Sequence, residues 1–208
     1  MAKTEEKGTA NTLIGSGAVR YSFTGDVNAP LNIIVDFRLA TPPEAYVYAD
    51  SVSLTNDPRL GMASILFGQH DPRNKECECM VLAIPSQALF TQFLSAVSTV
   101  EENLTQGLKA TGLEAARRQV PEGCRVRATL FANVISMYAG QSDCSLDFYY
   151  LPVRDIHIAK QFRTEIGLEP VLRVLIAPTV LKFLFELCHQ LNREQLDIMR
   201  SEHRASSR

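Results

Sequence analysis

The sequence predicts an α+β protein made of two tandem pseudo-equivalent units, each an antiparallel meander of about three strands followed by one helix, sharing one core. Three observations predict it. An apolar strand runs into a proline and then a helical pattern twice, as "MVLAIPSQALFTQFL" (80–94) and "RVLIAPTVLKFLFEL" (173–187). Upstream, "YADSVSL" (48–54) falls on "FANVISM" (131–137), and "SILF" (64–67) falls on "SLDF" (145–148). Each unit alone is too small to bury its sheet face, so a second copy in the same chain supplies the missing surface.

In chain order, residues 1–12 are polar and are expected to form a disordered tail. The first unit spans 13–106. Two leading strands, "AVRYSFTG" and "LNIIVDFRLA", are expected to extend one sheet edge. The meander strands fall at 46–55, 60–69 and 76–84, with the helix at 86–106. Alternation places Tyr48, Val52 and Leu54 on one face, and Cys79, Val81 and Ala83 on another. Leu89, Phe93, Val97, Val100 and Leu104 recur at helical spacing. The segment 107–124 ends in "PEGC" and reads as a linker.

The second unit spans 125–200, with strands at 125–138, 143–151 and 170–177 and a helix at 179–199. Phe131, Ile135 and Met137 share a face, and Leu172, Val174 and Ile176 lie under Cys79, Val81 and Ala83 when Pro178 is set on Pro85. Proline cannot donate to a strand ladder, and Ser86 or Thr179 after it is suited to cap a helix. Residues 153–169 have no counterpart in the first unit, and residues 201–208 are expected to be a disordered tail. A single meander followed by helices is the plainer alternative to duplication.

The pair Ala132–Asn133 in an early strand, Asp147–Phe148 in the next, and a strand entering Pro178 and a helix resemble a small uncharacterised bacterial family of about a hundred residues. The first half departs from it: Asp50 replaces the asparagine, Leu66 the aspartate, and "SQALF" follows the proline. The resemblance implies a fold and no chemistry. The meander-then-helix order is also loosely similar in topology to the SecB family of export chaperones.

Composition narrows the function classes. With 46% apolar and 21% charged residues, a net charge of −2 and no tryptophan, the chain gives no reason to expect nucleic acid as a partner. No stretch approaches the roughly 20 apolar residues of a spanning helix, so no membrane insertion is expected. The polar start lacks the apolar core of a secretion signal, and a cytoplasmic protein is expected. Five cysteines without framework spacing read as free thiols.

No residue set names a reaction, so no enzyme activity, cofactor or metal is expected. His70 precedes Cys77 and Cys79, and alternate strand residues face one way, so both thiols could reach one metal; structural zinc needs four ligands, and core thiols are the simpler reading. Cys188 and His189 are neighbours on a helix, about 100° apart, which does not make a nucleophile–base pair. "GSG" at 15–17 lacks the flanking strand and helix of a phosphate loop. Asp50 and Asn133 are polar residues on otherwise apolar faces, expected to bond neighbouring backbone.

The expected function is therefore a non-enzymatic protein-interaction or assembly subunit, forming a homo-oligomer or binding a protein partner. The candidate interaction surface is Phe183 and Phe185, beyond the helix width that one sheet covers, with Arg154, His157 and Lys160 of the 153–169 segment. Two alternatives stand: a chaperone-like holder of unfolded chains with an exposed apolar groove, or a small-molecule binder or enzyme with a site at the seam between units.

Overall fold

The computed structural model describes residues 12–14, 19–23, 31–35, 41–73, 76–86, 89, 94–113, 116–139, 144–152 and 168–206. The fold is α+β. In chain order it runs β1 (Thr12–Ile14), β2 (Val19–Phe23), β3 (Leu31–Val35), β4 (Tyr46–Ala49), β5 (Ser51–Asp57), β6 (Met62–His70), β7 (Cys77–Pro85) and α1 (Leu94–Thr111). After these come β8 (Arg125–Phe131), β9 (Val134–Ala139), β10 (Cys144–Tyr150), β11 (Glu169–Ile176) and α2 (Pro178–Ser206).

Two sheets carry the architecture. The first has strand order β1-β9-β10-β11-β4 and the second β5-β6-β7-β8. Each contains a run of two antiparallel ladders followed by a parallel one, β9-β10-β11 then β4 and β5-β6-β7 then β8, and the first sheet adds a third antiparallel ladder where β1 joins β9. The strands expected at 46–55 and 125–138 are each broken by a corner. The first breaks at Asp50, so β4 belongs to one sheet and β5 to the other. The second breaks at Ala132–Asn133, which separates β8 from β9 in the same way. The chain thus passes between sheets twice, and each long strand serves both. The β2–β3 pair stands as its own two-stranded sheet and does not extend an edge of either large sheet, while β1 pairs with the edge of β9.

Inward-facing residues form one core. Ala63, Ile65 and Phe67 of β6, Leu82 and Ile84 of β7, and Cys144, Leu146 and Phe148 of β10 are all buried in it. Phe67 and Phe148, one from each sheet, pack with ring centroids 5.7 Å apart. Leu89, Val100, Leu104 and Leu108 enter the same cluster from the α1 side, as do Val180, Leu181, Leu184, Phe185 and Cys188 from α2. The two helices touch each other, and α2 lies against β5.

The inward residues of β7 are Leu82 and Ile84, not Val81 and Ala83, which are only half-buried. The proline alignment is therefore one residue out. Pro85 is still in the strand, with Ser86 N–H bonding Gly61 O beyond it, whereas Pro178 is the first residue of α2. Ala177, rather than Thr179, opens that helix: its carbonyl accepts from both Val180 and Leu181 N–H, and proline suits the first helical position because no donor is needed there.

Helix α1 ends on a glycine. Gly112 has φ of +69°, its N–H bonds Lys109 O, and Leu113 N–H bonds Leu108 O, the paired closure that an αL glycine allows. Helix α2 continues to Ser206, through most of the stretch expected as a tail, with no proline or glycine to stop it. Residues 1–11 lie outside the described residues.

Candidate functional site

Phe183 and Phe185, expected on an interaction surface, are 6% and 0% exposed. The expectation assumed a helix resting on one sheet. Helix α2 instead meets β5 and α1, and two neighbours use a wider apolar face than one. Its polar side is tied to α1 as well: Glu101 accepts from Lys182, and its other oxygen lies 3.0 Å from His189 Nε2. Burial alone would raise the Glu101 carboxyl, but these two partners outweigh it and hold it below the usual value. Cys188 is fully buried, with its thiol pushed up by burial, and its neighbour His189 is engaged by Glu101. Arg154, His157, Lys160 and the "GSG" at 15–17 lie outside the described residues.

Asp50 and Asn133 sit at the two strand corners. Asn133 N–H donates to Tyr149 O at 3.1 Å, its Oδ1 accepts from Leu151 N–H at 2.7 Å, and its Nδ2 donates to Leu151 O at 2.8 Å. Asp50 N–H donates to Gly68 O at 3.0 Å, its Oδ2 accepts from His70 N–H at 3.0 Å, and its Oδ1 lies 2.7 Å from His70 Nδ1. Burial acts to raise the Asp50 carboxyl, yet the His70 bonds prevail and hold it below the usual range. Each side chain thereby fixes the bend that moves a strand from one sheet to the other.

The corners decide what is exposed. With the strand turned at Asp50, Tyr46 and Tyr48 face outward at 70% and 50% exposure, while Val52 just beyond is fully buried. A continuous alternation across 46–55 would put Tyr48 and Val52 on one face. At the second corner Phe131 is exposed while Ile135 and Met137 are buried, and its ring meets Tyr150 edge-on at 5.6 Å.

Strand β4 ends the first sheet. Its parallel register with β11 sets Tyr48 beside Leu175 and Tyr46 beside Arg173. Leu175 is exposed, so Tyr46, Tyr48 and Leu175 form a contiguous apolar patch on an outer sheet face. The patch is bordered by a bidentate ion pair, Arg173 Nε and Nη2 to Asp147 Oδ1 and Oδ2 at 2.7 and 2.6 Å. Next to it the Tyr149 phenol is pushed up to about 12, by burial first and the Asp147 charge second. Strand β8 ends the second sheet and presents Val126 and Phe131, flanked by Arg125 and Arg127 that pair with Glu78. The sequence did carry a signal for the patch: a Tyr-Val-Tyr alternation ending two residues before an aspartate on an apolar strand.

Elsewhere, an open cleft of about 740 Å³ separates the connector, residues 116–124, from α2, lined by Arg117, Gln119, Glu186, His189 and Arg193. Arg117 and Glu186 pair across it at 3.4 Å. Among the described residues no group of three or more His, Cys, Asp and Glu side chains is arranged to hold a metal ion, and no helix is long and apolar enough to cross a membrane. The chain matches no known protein family, no curated protein and no solved structure.

Proposed function

We propose that this chain is an internally duplicated protein-interaction subunit that assembles with further copies of itself through the open edges of its two sheets. Register supports the duplication. With Val52 set on Ile135, Phe67 on Phe148 and Ile84 on Ile176, the ladder partners of one sheet become those of the other: Val52 opposite Phe67 and Ile135 opposite Phe148, Ala63 opposite Ile84 and Cys144 opposite Ile176. The parallel ladders follow the same shift, Val81 beside Thr129 corresponding to Arg173 beside Tyr46. Phe67 then touches its own counterpart, as a residue next to a twofold axis does.

The observation that carries the functional reading is the exposure of Tyr46 and Tyr48 on a strand that ends its sheet. Exposed strand edges with large apolar side chains are templates for further pairing, which proteins otherwise blunt with charge, proline or cover. A second copy is the occupant that charge favours. Glu44 is exposed just ahead of β4 and Glu169 at the start of the neighbouring β11, while Arg125 and Arg127 are exposed at the β8 edge, so the β4 end of one copy complements β8 of the next.

Light scattering on purified protein across a concentration series tests this. The wild-type mass should rise above one chain, and Tyr46→Glu/Tyr48→Glu should stay at one chain with little change in melting temperature, since both residues are exposed. A wild-type mass fixed at one chain to high micromolar concentration overturns the reading.

A further inference from the structure

Three of the five thiols meet on the outer face of the second sheet, and the fold brings two of them together from far apart in sequence. The parallel ladder between β7 and β8 opens with Glu78 beside Arg125, which makes Cys77 and Cys124 the pair immediately before it. Neighbouring strands lie about 4.8 Å apart, within the roughly 4.4–6.8 Å Cα separation that a disulfide requires. The Cys124 thiol donates to Cys77 Sγ at 2.9 Å. Cys124 is placed there by a tight turn, with its N–H bonding Pro121 O and Gly123 at φ of +80°, a conformation that favours glycine. Cys77 is buried and Cys124 half-exposed.

We propose that Cys77 and Cys124 are an oxidant-sensitive dithiol whose disulfide staples the 116–124 connector to the second sheet. The oxidant is hydrogen peroxide, the simplest hydroperoxide. The half-exposed Cys124 sulfur attacks the O–O bond, which breaks to give a Cys124 sulfenic acid and one water. The Cys77 thiol then displaces the sulfenic oxygen as a second water and the S–S bond forms. Two thiols lose two electrons and two protons, and the peroxide is reduced to two waters.

The staple has structural leverage. The connector bonds the free edge of β5 through Arg118 O to Val52 N–H at 2.9 Å, and Val120 N–H donates to Ser53 Oγ at 3.0 Å. It also reaches α2, where Ala116 N–H bonds Thr179 O and Arg117 pairs with Glu186 across the cleft. Fixing Cys124 to Cys77 therefore fixes one wall of the cleft and the cover of one sheet edge. Burial, then the neighbouring Cys77 and Cys79 thiols, push the Cys124 thiol up, so oxidation is slow at neutral pH and speeds as pH rises.

Hydrogen peroxide on the full chain, followed by alkylation, digestion and mass spectrometry, tests the pair. The expected result is a peptide linking Cys77 to Cys124, a free-thiol titre lower by two, Cys144 and Cys188 still reduced, and slower trypsin cleavage after Arg117 and Arg118, all reversed by dithiothreitol. Cys124→Ser, at a half-exposed position, should fold, lose the link and lose the protection. The proposal is overturned if Cys77 and Cys124 are recovered unlinked at doses that oxidise methionine, if Cys124 links to Cys79 instead, or if the purified protein carries stoichiometric zinc released by alkylating these thiols.

Discussion

The corner at Asp50 and the corner at Ala132–Asn133 perform one mechanical task with different chemistry. At both, a backbone N–H reaches across to the neighbouring strand, and a side-chain oxygen takes the N–H two residues further along that strand, His70 in one case and Leu151 in the other. Asn133 completes its clamp with a neutral donor to Leu151 O. Asp50 completes its clamp with the His70 ring. One bend is therefore indifferent to protons and the other is not. Beside them, the first sheet holds Tyr149 where the second holds Gly68, where an added Cβ would lie 2.4 Å from Ser51 Oγ of β5 and 3.0 Å from Val120 Cγ2 of the connector.

The largest effect is expected where the two sheets meet. Phe67→Ala and Phe148→Ala should each cost about 3–5 kcal/mol in denaturant unfolding. Because the rings touch, the double variant should lose less than the two single losses together. Strict additivity would mean that the sheets do not share a core.

Next in size, Gly68→Ala should cost about 1–3 kcal/mol through overpacking against Ser51 and the connector's Val120, whereas Tyr149 already fills the corresponding place in the first sheet. A neutral Gly68→Ala in thermal unfolding would mean that Ser51 and Val120 do not close over this face. Asn133→Ala should cost a similar 1–3 kcal/mol, by leaving the Leu151 N–H and C=O without their partner, and the loss should be flat between pH 3 and 7.

The smallest effect distinguishes the corners by pH. Asp50 is held below its ordinary value of 3.8 in the folded protein, so the stability it adds is fully present above that value and fades as pH falls through the lower folded one. Asp50→Asn keeps an acceptor for His70 N–H and should cost roughly 0.5–1.5 kcal/mol at neutral pH. The gap from wild type should narrow as pH drops below about 4. A gap that widened in acid would reverse the assignment.

Much of this was legible in the sequence, and the reasons for the rest are physical. Alternation located β6, β7, β10 and β11, and the recurrence of strand, strand, strand, helix matched their order. Periodicity failed at the corners because it assumes that a strand stays in one sheet. Once Asp50 turns the chain, Tyr48 and Val52 keep the same parity and yet face solvent and core respectively. The prolines misled by one residue because the two do different work, one ending a ladder and one opening a helix. Cys77 and Cys79 read as core thiols. They are buried, but under the connector on the outer face, and Cys124, brought to Cys77 only by the β7–β8 pairing, had no sequence signal to join them. Phe183 and Phe185 marked an unusually apolar helix, and no pattern within the helix shows that its second neighbour is α1.

The central claim is that each half completes the other's sheet, β4 closing the ladder of β11 and β8 that of β7. Producing the chain as two polypeptides divided after Gly112, which is exposed between α1 and the connector, tests it most directly. The account predicts that neither piece gives a cooperative unfolding transition alone, and that mixing them restores a one-to-one complex with the thermal transition of the intact chain. Two pieces that each unfold cooperatively and remain apart when mixed would contradict it.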